Sequence, residues 1–184
     1  MRIGIDIDDV VCDTYGILVR KLSKYYKVDI NKLINNPRAI GYYESTIANY
    51  KDFARSYYEQ LIRDAPLKPR VVFYLNKLKE AGHDLIFITA RSSFEFTDPY
   101  RLTVDYFHKH RIPYDKIIVE AFNKPEVCLR EGVRVMIDDY GANLALMESV
   151  GVIPIIMTMP YNKDEHYKYR ASNWQEIYEI IQEL

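Results

Sequence analysis

The sequence predicts an α/β protein built on a Rossmann-like, doubly wound parallel sheet. Three observations carry that expectation. Five short runs rich in Ile, Val, Leu and Phe are spaced along the chain, helical periodicities lie between them, and the residues that follow several of the runs are polar and chemically capable. Near-continuous apolar runs suit strands covered on both faces. Strand alternating with helix is the pattern of a parallel sheet between helical layers.

The first run is Ile3 to Ile7. The rhythm then stops until residue 67. Leu18, Leu22 and Tyr25 share one helical face, and Tyr50, Phe53, Ala54, Tyr57 and Leu61 share another. Asn35-Asn36-Pro37 between them is a turn signal, and Pro66 and Pro69 close the segment. Residues 14–66 are therefore expected to form a small helical cap, inserted into a core domain of residues 1–13 and 67–184. Val71, Leu75 and Leu78 begin the regular alternation, and Gly82 stops their helix. Leu85 to Ile88 is the second strand, Lys116 to Val119 the third and Val133 to Ile137 the fourth. Leu144 and Met147 mark a helix ending near Gly151, and Val152 to Met157 is the fifth strand. Trp174, Ile177, Ile181 and Leu184 repeat at helical spacing, with Ser172 and Gln175 read as a capping box.

Composition narrows the function. The chain has 184 residues, is 48% hydrophobic and carries 25 Lys and Arg against 26 Asp and Glu. That suits one soluble domain with its own core and argues against disorder, a membrane protein or a general polyanion binder. Cys12 and Cys128 have no metal-type or disulfide spacing, which fits a reducing compartment. Asp6 interrupts the N-terminal apolar run before a signal-peptide core forms, so a cytoplasmic setting is expected. The segment 14–66 holds 9 Lys and Arg against 5 Asp and Glu, and 8 of the 17 tyrosines. Tyr15, Tyr42 and Tyr43 are its candidates for meeting a flat ligand.

Ligands of open α/β sheets gather at the carboxyl ends of the strands. The first run leads into Asp6, Asp8 and Asp9, the second into Thr89 and Arg91, the third into Lys124 a few residues on, and the fourth into Asp138 and Asp139. Clustered carboxylates suit Mg²⁺, a hard ion that prefers oxygen ligands. A Lys and a Thr beside them would hold anionic oxygens, which is the main need of phosphoryl transfer. One carboxylate is then free to attack phosphorus, and another two residues along can protonate the departing oxygen.

At these residues the chain resembles the haloacid dehalogenase superfamily of phosphohydrolases. The likeness rests on Asp6-Ile7-Asp8-Asp9-Val10-Val11 after a strand, Ile88-Thr89-Ala90-Arg91, Lys124 and Met136-Ile137-Asp138-Asp139, all in the superfamily's order. The opening with Asp13, the small insertion and the Ile-Asp-Asp ending look most like the 5′(3′)-deoxyribonucleotidase branch and its bacterial relatives. The resemblance implies Asp6 as the nucleophile, Asp8 as acid and then base, Thr89 and Lys124 at the phosphate, and Arg91 either at the phosphate or anchoring its loop. It implies Mg²⁺ held by Asp6, the backbone carbonyl of Asp8 and the Asp138-Asp139 pair, with Asp139 favoured as direct ligand. Asp9 departs from the Gly that many members have, and adds a charge and a side chain where the backbone needs room.

The activity so implied is a magnesium-dependent phosphomonoesterase acting on nucleoside monophosphates, probed against three alternatives. A polynucleotide 3′-phosphatase would need a basic groove, which a net charge of −1 does not supply. A sugar-phosphate phosphatase would share every motif. A phospho-acceptor domain of receiver type would place its acceptor Asp after the third strand and would lack the insertion. The expected partner is a small phosphomonoester, with no membrane and no polynucleotide, and the reading leaves room for a homodimer.

Overall fold

β1 (Arg2–Ile5) lies inside a six-stranded parallel sheet, in a computed structural model that describes residues 1–27, 29–34 and 50–184. The other strands are β2 (Asp84–Ile88), β3 (Lys116–Ile118), β4 (Val135–Asp138), β5 (Ile153–Met157) and β6 (Tyr169–Ala171). Their spatial order is β3-β2-β1-β4-β5-β6 and every pairing is parallel. Alternate residues serve alternate faces, as strand geometry requires. Ile3, Ile5, Leu85, Phe87, Val135, Ile137, Ile155 and Met157 pack on one side, with α4 (Val71–Glu80), α5 (Pro99–His110) and α8 (Trp174–Gln182). Ile86, Ile88, Met136 and Ile156 pack on the other, with α6 (Lys124–Glu131) and α7 (Gly141–Leu144). Gly4 belongs to this second face, where a Cβ would come within 2.7 Å of the Met136 sulfur.

The five expected strands are present with shifted ends. β4 begins two residues later than its apolar run, because the Val133 N–H is taken by Cys128 O at the end of α6 (2.9 Å). β5 contains Pro154 without cost. Ile153 donates to Arg134 O, so the next nitrogen turns to the opposite side, where β6 pairs only from Ile155 onward. β6 itself has no apolar run, since it is an edge strand of three residues with only Ala171 buried. The helix expected around Leu144 and Met147 breaks into α7 and a 3₁₀ turn at Glu148–Val150, ended by Gly151 at φ 76°. The cap of α8 is also one residue later than the Ser172–Gln175 box. Asn173 accepts from the Glu176 N–H (3.0 Å), and Glu176 reaches back to the Ser172 N–H (2.7 Å).

In the inserted segment the described helices are α1 (Thr14–Tyr26), α2 (Ile30–Ile34) and α3 (Tyr50–Asp64), and the two periodicities fall in α1 and α3. The Asn35-Asn36-Pro37 turn, Tyr42 and Tyr43 lie outside the described residues. Two strands of backbone lead in and out of the segment side by side. Asp13 N–H bonds Pro66 O (2.9 Å), Lys68 N–H bonds Val11 O (2.8 Å), and Cys12 bridges Leu67 antiparallel. Asp13 also caps α1, accepting from the Gly16 N–H (3.1 Å). Among the described residues no helix is long and apolar enough to cross a membrane.

Candidate active site

The strand order reverses between β1 and β4, and the crevice at such a switch point is where an open α/β sheet binds its ligand. The ladder there runs one residue past β1, with Asp6 N–H donating to Ile137 O (2.9 Å). Asp6 and Asp138 are thereby fixed on adjoining strand ends. Lys124, the first residue of α6, extends between them, its Nζ 2.6 Å from Asp6 Oδ1 and 2.6 Å from Asp138 Oδ2. All three are buried. Burial opposes the Lys124 charge, but Asp6 and Asp138 outweigh it and raise its pKa. Burial pushes Asp6 up to about 7 against the pull of Lys124, with Asp138 and Asp8 adding to the rise.

The paired acids after β4 are not equivalent. Asp138 is filled by protein donors: its Oδ1 takes the Tyr140 N–H (2.9 Å) and Asn143 Nδ2 (3.1 Å), its Oδ2 takes Lys124 and Asn143 again (3.1 Å). The Asp139 carboxylate instead accepts from the Tyr161 hydroxyl. Its pKa is well above the ordinary range, from burial first and then Asp138, Asp6 and Asp9. Carboxylate oxygens of Asp6, Asp138 and Asp139 lie within 4.8 Å of one another. An all-oxygen, buried donor set of this kind fits Mg²⁺.

Asp9 is the second carboxylate near Tyr161, whose hydroxyl is 3.5 Å from its Oδ2. It sits at φ 62°, a conformation natural to Gly and tolerated by Asp. This explains the departure from Gly: the aspartate adopts the left-handed turn and anchors it, accepting the Tyr15 N–H at 2.8 Å. Burial pushes its carboxyl up to about 7, with the Tyr15 N–H pulling the other way.

Asp8 and Arg91 form a two-pronged ion pair, with Nε to Oδ2 and Nη2 to Oδ1 both at 2.8 Å. Arg91 is buried and its Nη1 also donates to Thr103 Oγ1 (3.2 Å). Burial opposes its charge, and Asp8 more than offsets that. Thr89 is buried at the end of β2, its hydroxyl accepting from the Arg91 N–H (3.3 Å). A cavity of about 320 Å³ opens above these groups, with Asp6, Thr89 and Lys124 in its lining and Leu18, Leu61 and Phe96 among its apolar residues. Tyr15 lines it as well, its hydroxyl bonded to Leu33 O (3.0 Å) and Ile34 O (2.7 Å) of α2.

The family model of the 5′ nucleotidase, deoxy (pyrimidine), cytosolic type C protein matches residues 1–184. The chain belongs to this nucleotidase family. It is 26% identical over 189 residues to a Chlorobaculum tepidum protein whose name provisionally assigns it as a 5′(3′)-deoxyribonucleotidase, covering 97% of this chain and 89% of that one. Among solved structures, a Clostridium acetobutylicum protein described as a predicted phosphatase superposes with a TM-score of 0.74 at 15% identity, over 100% of this chain and 98% of that one. The Bacillus subtilis protein YfnB, provisionally assigned as a HAD-hydrolase and solved with magnesium, gives 0.65 at 14% identity, over 98% of each chain. These place the fold in the haloacid dehalogenase class, and the family makes the chain a phosphatase of 5′-nucleotidase type.

For this nucleotidase, Asp6, Asp8, Thr89, Arg91, Lys124, Asp138 and Asp139 all come to one crevice, and Tyr15 joins them on the cavity wall. Arg91, expected either at the phosphate or as an anchor of its loop, lines the cavity with its guanidinium bonded to Asp8 and Thr103. Tyr161, Asn162 and Phe96 are additions that sequence reasoning missed. The strand-end rule reaches the first two when applied to β5 as well, since both follow Met157 within five residues.

Proposed function

We propose that the chain hydrolyses nucleoside 5′-monophosphates, with deoxyribose forms preferred, through a covalent phosphate on Asp6. The observation that carries this is the pairing of Asp6 with Lys124 at 2.6 Å in the lining of a cavity that is polar near the strand ends and apolar toward the insertion. Lys124 fixes one oxygen of Asp6 and leaves the other to attack phosphorus. As that P–O bond forms, the ester P–O bond breaks and Asp8 gives its proton to the leaving alkoxide. Asp8 then takes a proton from the water that attacks the phosphoaspartate, releasing phosphate and restoring Asp6. Arg91 holds Asp8 in a single orientation for both transfers, and Thr89 and Lys124 donate to the phosphate oxygens. Asp6, the Asp8 carbonyl and Asp139 would hold Mg²⁺, with Asp138 backing the set through Lys124; the ion supplies positive charge against the phosphoryl oxygens.

Residues 14–66 act as a cap on a core of residues 1–13 and 67–184, joined through the paired backbone at 11–13 and 66–68. A cavity of about 320 Å³ is at the small end of ligand sites, which run roughly 300–1,000 Å³. It suits a compact phosphomonoester, and Tyr15 and Phe96 offer rings beside it. The test is phosphate release by the Mg²⁺-loaded enzyme from deoxy- and ribonucleoside 5′- and 3′-monophosphates, ribose 5-phosphate and a 3′-phosphorylated oligonucleotide. The highest kcat/KM should fall on a 5′-deoxynucleotide. Equal use of the base-free sugar phosphate, or preference for the oligonucleotide, overturns the assignment.

A further inference from the structure

The loop after β5 grips Asp139 twice, from two consecutive residues. Tyr161 donates its hydroxyl to the Asp139 carboxylate, and Asn162 Nδ2 donates to the Asp139 backbone carbonyl at 2.6 Å. Asn162 has no exposed surface and uses its whole side chain as a brace. Its Nδ2 also donates to Met157 O (2.8 Å), and its Oδ1 accepts from the Met159 N–H (3.0 Å) and from Arg170 Nη1 (3.2 Å). Arg170, on β6, further binds the Asn162 carbonyl (3.0 Å) and that of Glu165. The edge strand therefore holds the loop, and the loop holds Asp139. Tyr161 is braced from the other side by the insertion. Its ring meets Tyr15 edge-on with centroids 4.9 Å apart, and Tyr15 is tied by its hydroxyl to the carbonyls of Leu33 and Ile34.

We infer that Tyr161 is a positioning residue for the metal: it orients the Asp139 carboxylate and so sets the affinity of the site for Mg²⁺. The inference rests on Asp139 being a direct ligand, as read above. Asp138 needs no such help, because Tyr140, Asn143 and Lys124 already fix it. Asp139 has Tyr161 as its carboxylate's hydrogen-bond donor among the described residues. A carboxylate with one oxygen hydrogen-bonded cannot turn both away from the metal, and removing such an outer partner typically costs roughly 10–100-fold in metal affinity or activity.

The experiment compares wild type, Tyr161→Phe and Asp139→Ala by calorimetric titration with Mg²⁺ and by activity across a Mg²⁺ series. Phe keeps the ring, and with it the contact to Tyr15, so circular dichroism should stay near wild type, and the unfolding midpoint of the metal-free protein should drop by no more than the loss of one buried hydrogen bond. The expected result is a Kd for Mg²⁺ raised roughly 10-fold or more in Tyr161→Phe, with kcat recovering toward wild type as Mg²⁺ saturates. A residue with a purely structural role would instead leave a deficit that no amount of Mg²⁺ repairs. An unchanged or tighter Kd in folded Tyr161→Phe, while Asp139→Ala loses binding, overturns the role of Tyr161 alone. If Asp139→Ala binds Mg²⁺ as wild type does, the ligand assignment fails and takes this inference with it.

Discussion

Asp9→Asn isolates the free-energy cost of a single buried charge. At φ 62° Asn is as well tolerated as Asp, and its side-chain oxygen can still accept the Tyr15 N–H now held at 2.8 Å. The loop is kept and only the ionisation is lost. Burial carries the Asp9 carboxyl from 3.8 to about 7, so the folded chain keeps a proton that the unfolded chain releases near pH 4. Between those values the folded state binds more protons, and stability falls as pH rises, levelling off above about 7. At about 1.36 kcal/mol for each pH unit, wild type should lose roughly 2–3 kcal/mol relative to Asp9→Asn between pH 5 and pH 8.5. The assay is urea unfolding in EDTA at several pH values, followed by the fluorescence of Trp174, the single and buried tryptophan. A stability difference that does not change with pH, or that favours wild type increasingly at high pH, refutes the reasoning.

Asp6→Asn should fold normally and lose turnover by several orders of magnitude in a phosphate-release assay, since the amide cannot form the phosphoaspartate and the neighbouring Asp8 and Asp139 have other roles in the proposed reaction. Arg91→Lys can keep only one of the two bonds to Asp8, so kcat should fall by about 10²-fold with KM changed far less, a displacement effect of the usual size; equal losses in both would argue for direct phosphate binding. Trp174→Phe removes the indole N–H that bonds Val10 O at 2.8 Å and leaves that carbonyl buried, which should lower unfolding free energy by about 1–3 kcal/mol in chemical denaturation.

The sheet was legible because its strands are buried on both faces, so each read as an apolar run without needing its neighbours. β6 was not, because an edge strand with one buried residue carries no such pattern. The catalytic constellation was legible for a related reason: parallel strands deliver their end residues to one line, so Asp6, Thr89 and Asp138 could be grouped before any contact was known. What the line does not give is which side chain spends itself on which. Arg91 and Thr89 leave the same strand, and only packing turns the guanidinium onto Asp8 while α5 supplies Thr103 beneath it. Tyr161 depends on a loop whose course is set by Asn162 and Arg170, residues eight apart that meet only after β6 has joined the sheet.

The charge balance of the crevice leads to a last prediction. Asp6, Asp8, Asp9, Asp138 and Asp139 are five carboxylates, and among the described residues the cations in ion pairs with them are Lys124 and Arg91. Fully ionised, the group of described side chains lacks three positive charges; burial first, and neighbouring carboxylates after it, raise the pKa values of Asp6, Asp9 and Asp139. A dianionic phosphate entering such a site meets repulsion: one like-charge pair at about 4 Å costs roughly 4 kcal/mol at an effective dielectric constant near 20. A divalent cation held by Asp6 and Asp139 would supply two of the three missing charges. Inorganic phosphate should therefore bind at least about tenfold more tightly in saturating Mg²⁺ than in EDTA, at one ionic strength and at pH 8, above the values of about 7 to which Asp6 and Asp9 are raised. At pH 5.5 that advantage should narrow, because Asp6 and Asp9 then carry protons and the phosphate is a monoanion, so the two repel less. Titration calorimetry with phosphate at the two pH values reads both effects. Equal phosphate affinity with and without Mg²⁺ at pH 8 would show that Lys124 and Arg91 suffice, and that this account of the metal is wrong.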